Sequence, residues 1–258
     1  MPKLSMVLLY FFVATYGLAQ LSPQNQRLLA RFPVRCNILD KQNHRINQAN
    51  GFVIEHNHHL YFITNYHIIS DTNYYSGTVH PFYDNGSIAE PWALDLRMHR
   101  KKENAWTFSK LPLFINGKPA FFRMKFSGKL ADIMAIQIHD TGSFQFEPVE
   151  YLVEPPYSPG NGDLIYLAGY PLPLKDGPAI RVGKVLETDS VPTTRQGKLP
   201  MYLIDLSSPG WYSGSPAFFW NPELNKPVLV GIIGNADEEE NTGIWRIDFL
   251  REMIVHLP

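Results

Sequence analysis

Short apolar runs separated by polar turns dominate the hydrophobic pattern of this chain. The runs are bounded by Gly, Pro, Asn or other polar residues, and they occupy residues 51–54, 60–63, 92–96, 132–138, 163–169 and 228–233. Long helical periodicity is missing between them. Short β-rich runs with frequent turn signals predict an all-β barrel or sandwich.

The clearest local element is a hairpin early in the chain. Two apolar runs, residues 51–54 and 60–63, flank the polar turn His56-Asn57-His58-His59. The three turn histidines suggest a metal site, but neither a carboxylate nor a cysteine stands at ligand spacing, so a solvated turn is the preferred interpretation and no metal is predicted.

Helical signals are confined to the two ends of the pattern. Ser22 followed by Pro23 predicts an N-cap and a short helix. Near the other end Asp248 is predicted to cap an amphipathic helix, whose apolar face contains Phe249, Leu250, Met253, Ile254 and Leu257. The proline-rich residues 151–160 predict a linker, which divides the chain into residues 1–19, 20–150 and 151–258.

Composition limits the function classes. The chain has 258 residues, of which 45% are hydrophobic, and a net charge of −1. That length and hydrophobicity suffice for one large core or two adjoining ones, and the charge does not favour a nucleic-acid partner. The acidic residues 237–240 suggest calcium, but a solvated loop is the simpler interpretation. Oligomeric state is not encoded in any of these features.

Residues 1–19 have the pattern of a secretory signal. Lys3 supplies a positive start, an uncharged apolar centre follows, and Gly17-Leu18-Ala19 provides small residues for cleavage. The predicted location is therefore secreted or periplasmic. A retained membrane anchor is the alternative, although the apolar centre is shorter than the ~20 residues that span a bilayer.

One cysteine, Cys36, cannot form an internal disulfide. An exported chain without disulfides has to gain its stability from core burial. Cys36 stands in a strand-like segment and is interpreted as a small buried apolar residue; a nucleophilic role is the weaker interpretation.

Three residue types needed for nucleophilic catalysis occur in separate motifs. Residues 62–67 end an apolar run in His67, residues 132–136 open a predicted strand with Asp132, and residues 209–216 hold Ser213 between small residues and a proline. A serine hydroxyl needs a neighbouring base, and the base needs an orienting carboxylate. Asp95 is the alternative orienting acid, but it lies inside a strand-like run.

These motifs and their order, His, Asp, Ser, resemble the trypsin-like (chymotrypsin-fold) serine peptidases of the disulfide-free bacterial branch. Residues 168–171, 183–185 and 228–233 are similar to further landmarks of that family, and the resemblance covers about residues 34–257. It implies two antiparallel six-stranded Greek-key β-barrels with a C-terminal helix. It also implies a serine endopeptidase that acts on protein or peptide substrates through an acyl-enzyme, without a cofactor.

The resemblance assigns roles to His67, Asp132 and Ser213 as the catalytic residues. The amides of Trp211 and Ser213 would form the oxyanion hole, and Trp211 stands where the family has glycine. Ser207 and Ser208 would lie in the substrate pocket, where the lack of an acidic residue predicts no preference for Lys or Arg. Tyr212 replaces the aspartate that zymogen-activated members use, and no activation sequence occurs near the mature start.

Two other functions remain open from the sequence. A binding protein that keeps this fold with an impaired oxyanion loop is the main alternative, because Trp211 departs from the family pattern. An esterase of the α/β-hydrolase kind would need G-x-S-x-G and alternating strands and helices; Trp211 and the scarcity of helices argue against it.

Overall fold

The computed structural model describes residues 21–70, 83–84, 87–102, 105–126, 129–151, 157–171, 177–188, 191–193, 197–207, 212–236 and 241–258. The predicted signal segment and acidic loop lie outside these residues, as do residues 152–156 of the predicted linker. The described part is mainly antiparallel β-structure, as the sequence pattern predicts.

The first half of the chain forms an eight-stranded antiparallel sheet. Its strands are β1 (Pro33–Leu39), β2 (Arg45–His56), β3 (His59–Thr64), β6 (Ala93–Arg100), β7 (Ala105–Pro112), β10 (Phe122–Phe126), β11 (Lys129–Ile138) and β12 (Phe144–Gln145). Six of them follow in the order β10-β11-β3-β2-β1-β6, and both β7 and β12 pair with β6. The predicted six strands are therefore present with two additions on β6.

The second half closes into a six-stranded barrel, as expected. Its strands are β13 (Leu164–Gly169), β14 (Ala179–Glu187), β17 (Met201–Ser207), β18 (Pro216–Asn221), β19 (Lys226–Ala236) and β20 (Asn241–Arg246), which pair in the order β13-β14-β17-β20-β19-β18. Closure follows because β18 also pairs with β13. The domain limits at residues 20–150 and 151–258 stay a prediction.

Three short two-stranded ribbons and three helices complete the described elements. The ribbons are β4 (Tyr83–Asp84) with β5 (Ser87–Ile88), β8 (Phe114–Ile115) with β9 (Lys118–Pro119), and β15 (Val191–Thr193) with β16 (Gly197–Leu199). The helices are α1 (Pro23–Leu29), α2 (His67–Ser70) and α3 (Ile247–Ile254).

Local sequence signals account for several of these boundaries. The Ser22 side chain accepts the N–H of Asn25 and Pro23 opens α1, as predicted. The hairpin β2–β3 turns on Asn57 and His58, which both have positive φ, as a two-residue turn requires. His56, however, is not simply solvated, because its ring nitrogen lies 2.7 Å from the Tyr151 hydroxyl.

The C-terminal helix differs from its prediction at both ends. It is capped by Arg246 rather than by Asp248, and Asp248 lies in the first turn, where its carboxylate binds the Arg246 side chain at 2.6 Å. Leu257 is buried, although the helix ends before it. An acidic residue stabilises the first turn of a helix without being its cap.

Three apolar clusters hold the chain together. One fills the first sheet, one fills the closed barrel, and the largest joins the two halves to α3. The largest contains Phe52 and Ile54 of β2, Phe218 of β18, and Leu250 and Ile254 of α3. Each such side chain contributes about 1.5–3 kcal/mol on burial, so this cluster fixes the two halves against each other.

Candidate active site

His67 lies at the start of α2, just beyond the end of β3. The preceding Asn65 is fully buried, and its side-chain amide donates to the carbonyl of Asp132 at 2.8 Å. This bond ties the segment before the histidine to β11, the neighbour of β3 in the sheet. His67 is thereby held close to Asp132 although 65 residues separate them in the chain.

Asp132 forms two hydrogen bonds with His67. One carboxylate oxygen accepts the backbone N–H of His67 at 2.7 Å, and the other lies 2.6 Å from the ring atom Nδ1. Because an ionised carboxylate only accepts, Nδ1 carries the hydrogen and Nε2 of the neutral ring is left as an acceptor. This geometry gives the imidazole one orientation and one tautomer.

The position of Asp132 differs from the expectation that it opens a strand. β11 begins at Lys129, so Asp132 lies inside the strand, with its side chain fully buried. A charge is tolerated there because both carboxylate oxygens accept N–H donors.

The alternative acid, Asp95, lies elsewhere on the sheet. It stands on β6 opposite Lys110 of β7, and burial raises the pKa of its carboxyl while the Lys110 charge acts in the opposite direction. Within the described residues, neither a hydrogen bond nor an ion pair joins Asp95 to His67.

Ser213 lies in a tight turn that leads into β18. Its carbonyl accepts the N–H of Asn50 at 3.1 Å, and the next amide, that of Gly214, donates to Ile233 at 3.0 Å. A third bond closes the turn, from the Ser215 N–H to the Tyr212 carbonyl at 2.9 Å. The turn is therefore bound to β2 of the first sheet as well as to β19 of its own barrel.

Gly214 makes this docking possible. Its φ is 84°, and a Cβ placed on it would lie 2.1 Å from the Asn50 carbonyl oxygen and 2.4 Å from the Thr64 hydroxyl. Thr64, which also donates to the Asn50 carbonyl at 2.6 Å, precedes His67 by three residues. Glycine is therefore required here for both backbone conformation and close packing.

The underside of the turn packs on β13. A Cβ on Gly169 would lie 2.4 Å from the Ser215 hydroxyl and 2.9 Å from the Tyr212 ring. Tyr212 is buried in the barrel core, where burial raises the pKa of its phenol and the Arg181 charge acts in the opposite direction. Tyr212 thus fills apolar space at the position where the sequence resemblance predicts the aspartate of zymogen-activated peptidases.

The structure brings the serine turn against the histidine segment without joining the two side chains. In the described part of the chain, no hydrogen bond links the Ser213 hydroxyl to the His67 ring, and the Ser213 amide donates to no described residue. Such catalytic bonds are often long before substrate binds. The three-residue catalytic assignment stays a prediction.

The predicted oxyanion and pocket residues are described only in part. Trp211 and Ser208 lie outside the described residues. Ser207 ends β17 and is exposed, and its carbonyl accepts Nη1 of Arg181 at 2.9 Å. Asp205, two residues earlier, accepts the backbone N–H of Lys184.

Sequence reasoning missed Asn50, Thr64 and Asn65, which connect β2, the histidine segment and the serine turn. Their contacts join residues that are 14 to 163 positions apart in the sequence. The only sequence signal for Thr64 and Asn65 is that they belong to the motif that ends in His67. Asn50 has no comparable signal, because its role arises only when the two halves pack together.

Among the described residues, no group of three or more His, Cys, Asp or Glu could hold a metal ion. None of the helices described is long and apolar enough to cross a membrane.

Solved structures of other proteins share this architecture. No family model and no curated protein matches the sequence. Among solved structures, Deg5 matches with a TM-score of 0.54 at 13% identity, covering 90% of this chain and 94% of that one. The active form of the Rv3671c protease from M. tuberculosis matches with a TM-score of 0.49 at 15% identity, covering 89% and 82%. Both are trypsin-like serine proteases. The likeness to Deg5 therefore confirms the resemblance seen in the sequence for the fold: this chain has the chymotrypsin fold.

Proposed function

We propose that this protein is a secreted or periplasmic serine endopeptidase, in which Ser213 is the nucleophile, His67 the general base and Asp132 the residue that orients the base. The observation that carries the proposal is the pair of hydrogen bonds from His67 to buried Asp132. The docking of the Ser213 turn on Asn50, beside the strand that leads to His67, adds support.

The proposed reaction proceeds in two acyl-transfer steps. Nε2 of His67 takes the Ser213 proton as the serine oxygen attacks the peptide carbonyl, and the resulting imidazolium gives that proton to the leaving amine. Water then attacks the acyl-enzyme by the same route and releases the acid. Asp132 stabilises the imidazolium throughout without itself taking a proton.

The oxyanion in this mechanism is stabilised by backbone amides. The Ser213 amide is one donor and the Trp211 amide is the other. Because the loss of one such donor lowers the rate by roughly 10²–10³, the backbone at Trp211 decides whether turnover is fast or slow. No cofactor takes part.

Substrate selection is proposed to exclude basic side chains before the scissile bond. Ser207 brings no negative charge to the pocket, and the adjacent Arg181 guanidinium adds a positive one. A Lys or Arg side chain would lose its hydration there without gaining an ion pair. A peptide-library cleavage profile tests this, and strong selection for Lys or Arg contradicts it.

The experiment for the proposed function is hydrolysis of an unstructured protein and of quenched fluorescent peptides by the purified protein. Ser213→Ala and His67→Ala should each reduce kcat by orders of magnitude, and the double variant should be little worse than either, because such residues act as a unit. The exposed Ser143→Ala and His139→Ala are matched controls. Ser213→Ala with wild-type activity contradicts the assignment.

A binding protein of the same fold is the second candidate. The missing hydrogen bond between the Ser213 hydroxyl and the His67 ring favours it. Wild-type protein that binds peptides and yet neither hydrolyses nor acylates would support this alternative.

The proposed location rests on residues 1–19 alone. Fractionation of cells that express the full chain, with N-terminal sequencing of the product, tests it. A soluble product that begins near Gln20 is expected, whereas a membrane-bound product that still begins at Met1 indicates a retained anchor.

A further inference from the structure

A cavity of about 300 Å³ is lined by residues of both halves, and Ser207 does not contribute to its wall. Its wall is largely apolar and includes Phe32, Met98, Trp106 and Phe146. Arg97 of the first sheet and Tyr170, which follows β13, provide polar groups in the same wall. An apolar cavity with a few convergent polar groups is typical of a ligand site.

Arg97 in the cavity wall has a second arginine, Arg35, beside it in the sheet. Cys36 of β1 pairs with Leu96 of β6, so one step along this antiparallel register Arg35 lies opposite Arg97. Like charges directly opposite each other on a sheet are destabilising. Burial, followed by the charges of Arg97 and Arg45, lowers the pKa of Arg35.

The charges of this pair are not balanced by a carboxylate. Among the described residues, neither Arg35 nor Arg97 forms an ion pair, and the buried Nε of Arg35 has no hydrogen-bond partner. The Arg97 guanidinium lies over the Trp106 ring at 5.2 Å. An unpartnered buried donor beside a second cation is costly unless an anion binds there.

Two carboxylates of this region are already engaged. Glu147 in the cavity wall binds Arg31, and Asp95, on the same face of β6 as Arg97, stands opposite Lys110. In the described part of the chain the arginine pair therefore has no carboxylate partner, and an anion from outside the chain would supply one.

Two hydrogen bonds connect Tyr170 in the cavity wall to the serine turn through Asn50. The Tyr170 N–H donates to the Asn50 side-chain oxygen at 2.9 Å, and the Asn50 N–H donates to the Ser213 carbonyl at 3.1 Å. Arg35 is itself the cross-strand partner of Asn50. Adjacent strands lie about 4.8 Å apart, so the row Asn50, Arg35, Arg97 leads from the serine turn to the cavity within one extended peptide's reach.

We propose that Arg35 and Arg97 bind an aspartate or glutamate side chain of the peptide substrate, and that a neighbouring apolar side chain of that peptide occupies the cavity. This inference rests on the proposed function, since it names the substrate class of the same site. Guanidinium groups suit the site because they bind carboxylates through paired hydrogen bonds.

The first test compares cleavage of peptides that differ only in Asp/Glu against Asn/Gln near the scissile bond. The wild type should cleave the acidic peptides roughly ten-fold faster in kcat/KM, the effect of a charge-assisted hydrogen bond. Arg35→Gln and Arg97→Gln, which keep most of the side-chain stem, should lose that preference, so that the ratio of kcat/KM for acidic and neutral peptides falls to about one. Exposed Arg27→Gln on α1 is the control and should keep the preference.

The second test measures binding of the same peptides to Ser213→Ala protein, followed by fluorescence and by calorimetry. Tighter binding of the acidic peptide, weakened by added salt, is expected. Cleavage without an acidic preference overturns this inference and leaves the peptidase standing. Acidic-selective binding by a protein that cleaves nothing would support the arginine site and overturn the proposed peptidase activity. Equal affinity for both peptides overturns the arginine site irrespective of activity.

Discussion

Asp132 accepts both the backbone N–H and the ring Nδ1–H of His67, at 2.7 and 2.6 Å. Two bonds from one carboxylate fix the main chain and the side chain of the histidine together. The antiparallel pairing of β11 with β3 places Met134 opposite Thr64, so the sheet itself sets this relationship. The orientation of the His67 ring is therefore fixed by the fold, as the proposed role of general base requires.

Replacing Asp132 by asparagine should remove this arrangement. The asparagine amide can accept only one of the two N–H groups and turns a donor toward the other, so the ring loses its fixed tautomer. The expected loss in kcat is on the order of 10⁴. Kinetics on folded protein measure it, with the exposed Asp140→Asn as control. A loss below ten-fold would show that Asp132 is only structural.

Activity should decline in acid. Only the neutral ring of His67 can accept the Ser213 proton, so kcat/KM should rise with pH and reach a plateau once the ring is deprotonated. The rate profile has to be measured where circular dichroism shows an unchanged fold. A rate that is flat between pH 5 and pH 8 contradicts a histidine base.

Gly214→Ala should damage both stability and activity, because the new Cβ would overlap the Asn50 carbonyl and the Thr64 hydroxyl. Positive φ together with overpacking should cost about 2–5 kcal/mol, and displacement of Ser213 should lower activity by roughly 10². Gly117→Ala is the matched control, since Gly117 has φ 73° with no atom within 4 Å of an added Cβ. It should cost only about 1–2 kcal/mol for the backbone conformation. Equal effects of the two substitutions would disprove the docking role of Gly214.

Because of Cys36, the free energy of unfolding should decrease with pH in the alkaline range. Burial raises the pKa of its thiol to about 12, whereas an exposed thiol ionises at about 8.5. Between these values the unfolded chain holds fewer protons than the folded one, so the free energy of unfolding falls as pH rises. The stability that Cys36 contributes is complete below pH ~8.5.

Urea unfolding of wild type and Cys36→Ala at several pH values measures this effect. The alanine variant lacks the thiol and has a constant cavity cost, so its stability deficit should shrink by at most about 1.4 kcal/mol per pH unit above the unfolded pKa. A constant deficit, or rapid alkylation of the native thiol, would contradict the buried position.

Local signals in the sequence predicted the elements well. Ser22 and Pro23 predicted the start of α1, and the β2–β3 hairpin was predicted from two apolar runs about a polar turn. These features depend on neighbours in the chain. Asp132 was predicted at the start of a strand, but three residues precede it in β11, because pairing with β10 extends the strand beyond the apolar run.

Contacts between the halves could not be predicted. The Asn50 N–H that binds Ser213 and the Gly214 backbone that packs on Thr64 belong to segments far apart in sequence. Neither residue type is unusual in its position, so no periodicity or motif reveals the contact. The same holds for Arg35 and Arg97, which become neighbours only through strand register.

The most direct test of the central claim is covalent labelling by a fluorophosphonate, read out by mass spectrometry of the intact and digested protein. An activated serine should give one adduct, located on Ser213, and His67→Ala should abolish it while Ser143→Ala leaves it unchanged. The same labelling is expected even if the protein hydrolyses peptides slowly, because labelling requires only the nucleophile and its base. Folded wild-type protein that gives no adduct, or an adduct on another serine, would contradict the account.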